Sequence, residues 1–214
     1  MEQELKRRIL EDLAQKEFQD EVKTARDEFF SLLKDLREDD AAYERLTACF
    51  LNWYVFDRCM DSGQGTPLQI FAETASLSKE EKTALAAMAA NVHSLFEVVR
   101  IDGKALVLKD LFSTETLQVT ERRSLAGLDS GDILEARLLP LANKLVFSAG
   151  AFVLHPRPAA PIIRKVVKKS RQEGTPTPAE IMRQLQSLNF RFTDRFRQTV
   201  AVEKVYSEIQ AITD

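Results

Sequence analysis

Two histidines, His93 and His155, bracket a strand-rich middle stretch of this 214-residue chain, and it has no others. If the first and last strands of that stretch are neighbours, the two imidazoles come together and could bind a metal. A metal site also needs a carboxylate or thiolate at a signature spacing, and none accompanies them, so two ordinary histidines at strand ends is the preferred reading. Asp57, Asp129 and Asp132 sit where helix ends and turns use carboxylates, and no acid–base pair stands out from spacing. Asp57 beside Arg58 reads as an ion pair that orients neighbouring elements. No G-x-S-x-G elbow, H-E-x-x-H helix, Walker A loop or dinucleotide fingerprint occurs. Cys49 and Cys59 lack the spacing of a metal site or a disulfide framework. No catalytic, cofactor-binding or metal-binding residue is assigned, and no cofactor is expected.

The remaining candidate is electrostatic. Net charge is only -3, but from Pro156 to Asp214 Lys and Arg outnumber Asp and Glu by 11 to 6, whereas Met1 to His93 carries 12 against 19 and Ser94 to His155 carries 7 against 8. Within the basic tail, Arg164, Lys165, Lys168, Lys169 and Arg171 crowd one expected helix at 162–172. Such a helix can follow phosphates in a salt-sensitive way, or meet the acidic N-terminal helices or a partner protein. A solvated face that meets the acidic N-terminal helices is the favoured reading of this helix, and nucleic acid the alternative. Phe96, Phe112, Phe147 and Phe152 could stack on bases, but their apolar neighbours suggest core positions, and a nucleic-acid barrel should be more basic than this slightly acidic middle segment.

Helices and a compact β unit must position these groups. Phe18, Val22, Ala25, Phe29, Leu32 and Leu36 recur at steps of three and four, which makes one apolar helical stripe that needs a partner, either the core or a second copy of the chain. "REDD" at Arg37 to Asp40 ends or interrupts that helix. "FLNWYVFDR", Phe50 to Arg58, is apolar on nearly every face and reads as a central bundle helix; core packing is preferred over an aromatic ligand cage for Trp53 and Tyr54. Thr66, Pro67 and Gln69 write a capping box, as do Ser78 with Glu81 and Thr177 with Glu180. "DSGQG" lacks the lysine of a phosphate loop. From His93 the period changes to two. "SLFEVVRI" and "KALVLKDL" flank Asp102-Gly103 as a hairpin. With "TLQVTE", "DILEARLLP", "KLVFSAG" and "AFVLHP" they give five or six short strands, which suggests a small barrel because closure removes exposed edges. "NFRFTDRF" fits either an extended piece or a helix start.

The succession "FLNWYVFDR", "TPLQIFAE", "SLFEVVRIDGKALVLKDLFSTETLQV" and "LDSGDILEARLLPLANKLVFSAG", over roughly Phe50 to Gly150, resembles a group of uncharacterised bacterial proteins, some with a cysteine-and-histidine SEC-C metal-binding tail. The resemblance implies a bacterial source and a helical-plus-barrel layout, and supplies no catalytic residues. Here the last 59 residues hold neither cysteine nor histidine, so the tail is not carried over. The fold expected is α+β: an N-terminal helical bundle (1–92), a small antiparallel β-barrel (93–156), and C-terminal helices (157–214) packing on the first region. The function expected is that of a non-enzymatic interaction or adaptor protein using the barrel rim and the basic helix. Nucleic-acid binding through that helix is the alternative, and an enzyme with an unrecognised site ranks third. A charged N-terminus and the lack of any run near the roughly 20 apolar residues of a membrane span point to a cytoplasmic protein without membrane contact, free to pair with an unidentified protein or with itself.

Overall fold

The computed structural model describes residues 1–13, 19–31, 43–60, 63, 65–121, 125, 127–141, 144–148, 152–196 and 200–209. These form a mixed α+β architecture of eight helices and a six-stranded sheet among the described residues. The chain divides into two compact units, the first built chiefly from Met1–Asn91 and the second from Val92–Leu138 and Phe152–Asp214.

The first unit is helical: α1 (Glu2–Leu13), α2 (Gln19–Phe30), α3 (Tyr43–Phe56), α4 (Pro67–Thr74) and α5 (Lys79–Ala89). Leu5 and Ile9 are one turn apart on α1, and both are buried, as the helical period requires. Of the apolar stripe, Ala25 and Phe29 are buried and Val22 is half-buried, while Phe18, Leu32 and Leu36 lie outside the described residues, as does "REDD". Phe29 meets Phe50 edge-on at 5.6 Å between ring centroids, and Phe50 stacks on Tyr54 at 5.8 Å. Trp53 and Tyr54 thus belong to a packed aromatic core. The capping boxes at Thr66 and Ser78 form as read from sequence, each side-chain oxygen accepting the backbone N–H three residues on. Arg58 is buried just after α3, its Nε donating to Glu28 Oε2 at 2.8 Å and its Nη1 to Glu21, so its ion pairs reach back to α2. Asp57, the neighbour expected to pair with it, is exposed.

The second unit opens with six strands, β1 (Val92–Asp102), β2 (Ala105–Asp110), β3 (Thr116–Thr120), β4 (Ile133–Leu141), β5 (Lys144–Phe147) and β6 (Val153–Leu154). Their order is β1-β2-β3-β5-β4-β6, and β4 also pairs with β1. Hydrogen bonding therefore returns to β1, with β6 added on β4 at Leu134 and Glu135. Two features correct the expected antiparallel barrel. The β3–β5 pair is parallel, held at Val119↔Leu145 and Thr120↔Val146, and the extra strand keeps the sheet from being a plain closed ring. The hairpin turn also shifts by one residue. Asp102 pairs with Ala105, so Gly103 and Lys104 form the loop, and only Gly103 has a positive φ, +61°, as a type II′ turn demands at its first central residue. A bulge between Val98 and Arg100 bends β1 so that it pairs with β4 along its first half and with β2 along its second.

Strand alternation splits the unit's core in two. Phe96, Val98, Leu106, Leu108, Val119, Leu134, Ala136, Leu138 and Phe147 fill the inner side of the sheet. Leu95 and Ile133, on the other side, pack with the C-terminal helices α6 (Ala160–Glu173), α7 (Pro178–Phe190) and α8 (Val202–Tyr206) through Ile163, Val167, Leu185 and Tyr206. β4 is buried along nearly its whole length. A strand covered on both faces needs a second layer, and α6 to α8 supply it. "NFRFTDRF" resolves as helix, the end of α7 passing into a π-helical turn at Arg191–Phe196.

Candidate functional site

The basic residues read from sequence all fall on α6, which carries Ile163, Val166 and Val167 on its buried side and ends at Gly174, whose left-handed backbone caps it. The structure divides them. Arg164 is committed inward, donating from Nη2 to Glu97 Oε1 at 2.8 Å and to the Gly131 carbonyl at 3.1 Å. Lys169 is half-buried. Lys165, Lys168 and Arg171 are exposed, and among the described residues no carboxylate pairs with them. Arg164, Lys168 and Arg171 follow the four-then-three step that keeps them on one helical face.

The sheet extends this surface. Of its eight acidic residues, Glu97 pairs with Arg164, and Asp110 Oδ1 accepts from Ser94 Oγ at 2.8 Å and from the Phe112 and Ser113 N–H groups. Asp129 and Asp132 pair with Arg157, and Glu121 and Glu135 are buried. Among the described residues, Asp102 and Glu115 remain exposed without such a partner, against Arg100, Lys104, Lys109 and Lys144. The register places Glu97, Lys109 and Thr116 in one row across β1, β2 and β3, and Arg100, Val107 and Gln118 in another. Because Arg164 reaches Glu97, the helix face and the sheet face are continuous. The composition of this segment is slightly acidic, but among its described residues the exposed charges without an ion-pair partner are mostly positive.

Phe96 and Phe147 are buried in the inner core, while Phe112 and Phe152 are half-buried against the two core clusters, so none of the four presents a free stacking face. Among the described residues no group of three or more His, Cys, Asp or Glu could hold a metal ion. Each histidine instead enters a polar network between the sheet and the C-terminal helices.

Sequence reasoning missed the centre of that network, Glu135. Its Oε1 accepts from His93 Nε2 at 3.0 Å and from Gln186 of α7. Arg137, paired opposite His93 across β1 and β4, donates to His93 Nδ1 at 3.2 Å. A guanidinium can only donate, so Nδ1 must be the lone-pair nitrogen, and the His93 proton sits on Nε2, directed at Glu135. His155 Nδ1 lies 3.1 Å from the Tyr206 hydroxyl on α8, and Asn189 Nδ2 donates to the Leu154 carbonyl at 3.0 Å. Glu135 Oε2 and His155 Nε2 are among the buried atoms that find no hydrogen-bond partner among the described residues. Burial lowers His155 to about 4, with the charge of Glu135 acting weakly the other way. Burial also pushes the Tyr206 phenol well above its ordinary range. Both His93 nitrogens are engaged and His155 stays neutral near pH 7, so the arrangement suits orientation and charge balance better than proton abstraction from a ligand. One signal could have revealed it: "ILEARLLPL" places Glu135 and Arg137 two residues apart in an otherwise apolar strand, and buried charges must be paired.

No helix among the described residues is long and apolar enough to cross a membrane. No curated protein and no solved structure matches the chain. A family of unknown function, DUF7986, matches residues 1–184, a span that takes in both the helical unit and the whole sheet, and the chain belongs to that family.

Proposed function

We propose that the chain is a non-catalytic contact module whose cationic surface, running from α6 to the rim of the sheet, docks an acidic face of a partner protein. The observation that carries this reading is the set of exposed cations, Lys165, Lys168 and Arg171 on α6, with no carboxylate partner among the described residues. Unpaired like charges held on one rigid helix repel one another, and an acidic partner relieves that repulsion while steering association. The test is capture from native extract with the triple variant Lys165→Glu, Lys168→Glu, Arg171→Glu as its control. A specific partner retained by the wild type and lost by the variant supports the reading, and equal retention removes it.

A second reading, nucleic-acid binding, draws on the strand circuit. The order β1-β2-β3-β5-β4, with the return to β1 and a parallel β3–β5 pair, suits a five-stranded barrel of the oligonucleotide-binding kind with β6 as an added edge. With no free aromatic face on the strands, such binding rests on phosphate contacts alone. Three α6 cations give a slope of log affinity against log salt of about -3, and a labelled duplex that shows no binding even at low salt excludes it. An enzymatic role draws least support, since both His93 nitrogens are consumed by protein groups. A cytoplasmic setting and self-association through the α2 stripe complete the proposal.

A further inference from the structure

We propose that His155 is an acid-sensitive fastener for the C-terminal segment: a proton taken up by its buried ring releases α8 and the turn after it from the sheet. The geometry is a chain of side chains that ties three elements together. His155 follows β6, and its own backbone N–H donates to the Ile133 carbonyl of β4 at 3.0 Å, fixing the ring's base to the sheet. Its Nδ1 meets the hydroxyl of Tyr206, which is wholly buried on α8, while Asn189 of α7 binds the Leu154 carbonyl and also hydrogen-bonds Tyr206. Val205 and Ile209 beside Tyr206 complete the attachment through apolar contact. α8 packs on the Arg157–Ala159 turn that leads into α6, so the segment it fastens borders the start of that helix.

A second proton changes the ring's chemistry. With both ring nitrogens protonated, Nδ1 can no longer accept from the Tyr206 hydroxyl, and the buried cation carries an Nε2 N–H that no group among the described residues accepts. The groups that face it are few. Tyr206 from α8 is a neutral phenol, and Glu135 from β4 has its Oε1 occupied by His93 and Gln186, with Arg137 bonded to the far side of His93. On α8, Glu203 and Lys204 are exposed, and Glu208 beyond it pairs with Arg191 at the surface. Opening the segment exposes the ring, which then regains its ordinary value of 6.5 from about 4. Falling pH therefore favours the open form throughout that interval. Gln186, Asn189 and Tyr206 all lie beyond residue 184, where the family match ends, so the fastener uses a segment outside that matched span.

The full-length chain tests this directly, because its two histidines give two imidazole signals in a proton NMR titration. One signal, absent from His155→Gln, should titrate near pH 4. Over the same interval, amide protection of residues 202–209 should fall by about tenfold per pH unit. In His155→Gln that fall should vanish, while in Glu208→Gln it should persist. A His155 signal that titrates above pH 6 overturns the proposal, as does an undiminished acid response in His155→Gln. If His155→Gln does not fold, the wild type still decides: the fall in protection must level off at the pH where the imidazole titrates, and a separation of a full pH unit between the two overturns the proposal.

Discussion

The two faces of β4 solve one problem in different ways. Leu134, Ala136 and Leu138 point to the inner side of the sheet, where every neighbour is apolar, and contact there needs shape but no partner of a given charge. Ile133, Glu135 and Arg137 alternate with them toward the C-terminal helices, where two of the three side chains carry charge. That face is stable only because His93 from β1 and Gln186 from α7 arrive at the right height. An apolar face tolerates neighbours of many kinds, whereas a buried polar face specifies which residue must meet it, and that fixes the register of β1 on β4 and the seat of α7.

The largest expected effect lies on the apolar face. Phe96→Ala should destabilise the chain by about 4 kcal/mol, read from the urea midpoint, because a wholly buried ring leaves a cavity. On the polar face, Glu135→Leu should cost about 3 kcal/mol by taking the shared acceptor from His93 and Gln186, and Glu135→Leu with Gln186→Leu should recover part of that loss. If the double variant is as unstable as the single, the faces differ less than the hydrogen bonds imply.

A pH series sharpens the same contrast. Above about 6.5 His155 is neutral in both folded and unfolded chains and contributes no pH dependence. Between 6.5 and about 4 the unfolded chain binds a proton that the folded one refuses, so stability falls with falling pH, on the order of 3 kcal/mol across the interval. Below that the contribution is flat. Comparing urea midpoints of wild type and His155→Gln at each pH isolates this contribution from the surface carboxylates, and parallel curves would remove it. Away from both faces, Thr177→Ala should cost about 1 kcal/mol by removing the acceptor for the Glu180 N–H at the start of α7. Smallest of all, Lys168→Glu should change stability by less than about 0.5 kcal/mol, since its side chain is exposed and unpaired.

Much of this was legible in the chain. The three capping boxes are local devices spanning four residues, so sequence suffices to place them. The aromatic core around Phe50 and the alternating strands were likewise readable from period, and Arg164 to Arg171 were correctly placed on one helix. The one-residue shift of the Gly103 turn was not, because Asp-Gly fits two positions of a hairpin and only cross-strand pairing chooses between them. Spacing can flag Glu135 as a charge in an apolar strand, but it cannot name its partners, which lie 42 and 51 residues away. The free positive surface escaped the charge count for the same reason, since counting cannot tell a carboxylate held by Arg157 from one in water.

The sequence alone determined which segments are helix, strand and turn, and that the middle of the chain builds a sheet, because these follow from periodicity and caps within a few residues. Tertiary structure alone decided the parallel β3–β5 pair, the second layer over β4, which cations stay unpaired, and where His155 is buried. Each of those depends on groups brought together across long stretches of chain, where burial and the balance of charge act on contacts that residue order does not encode locally.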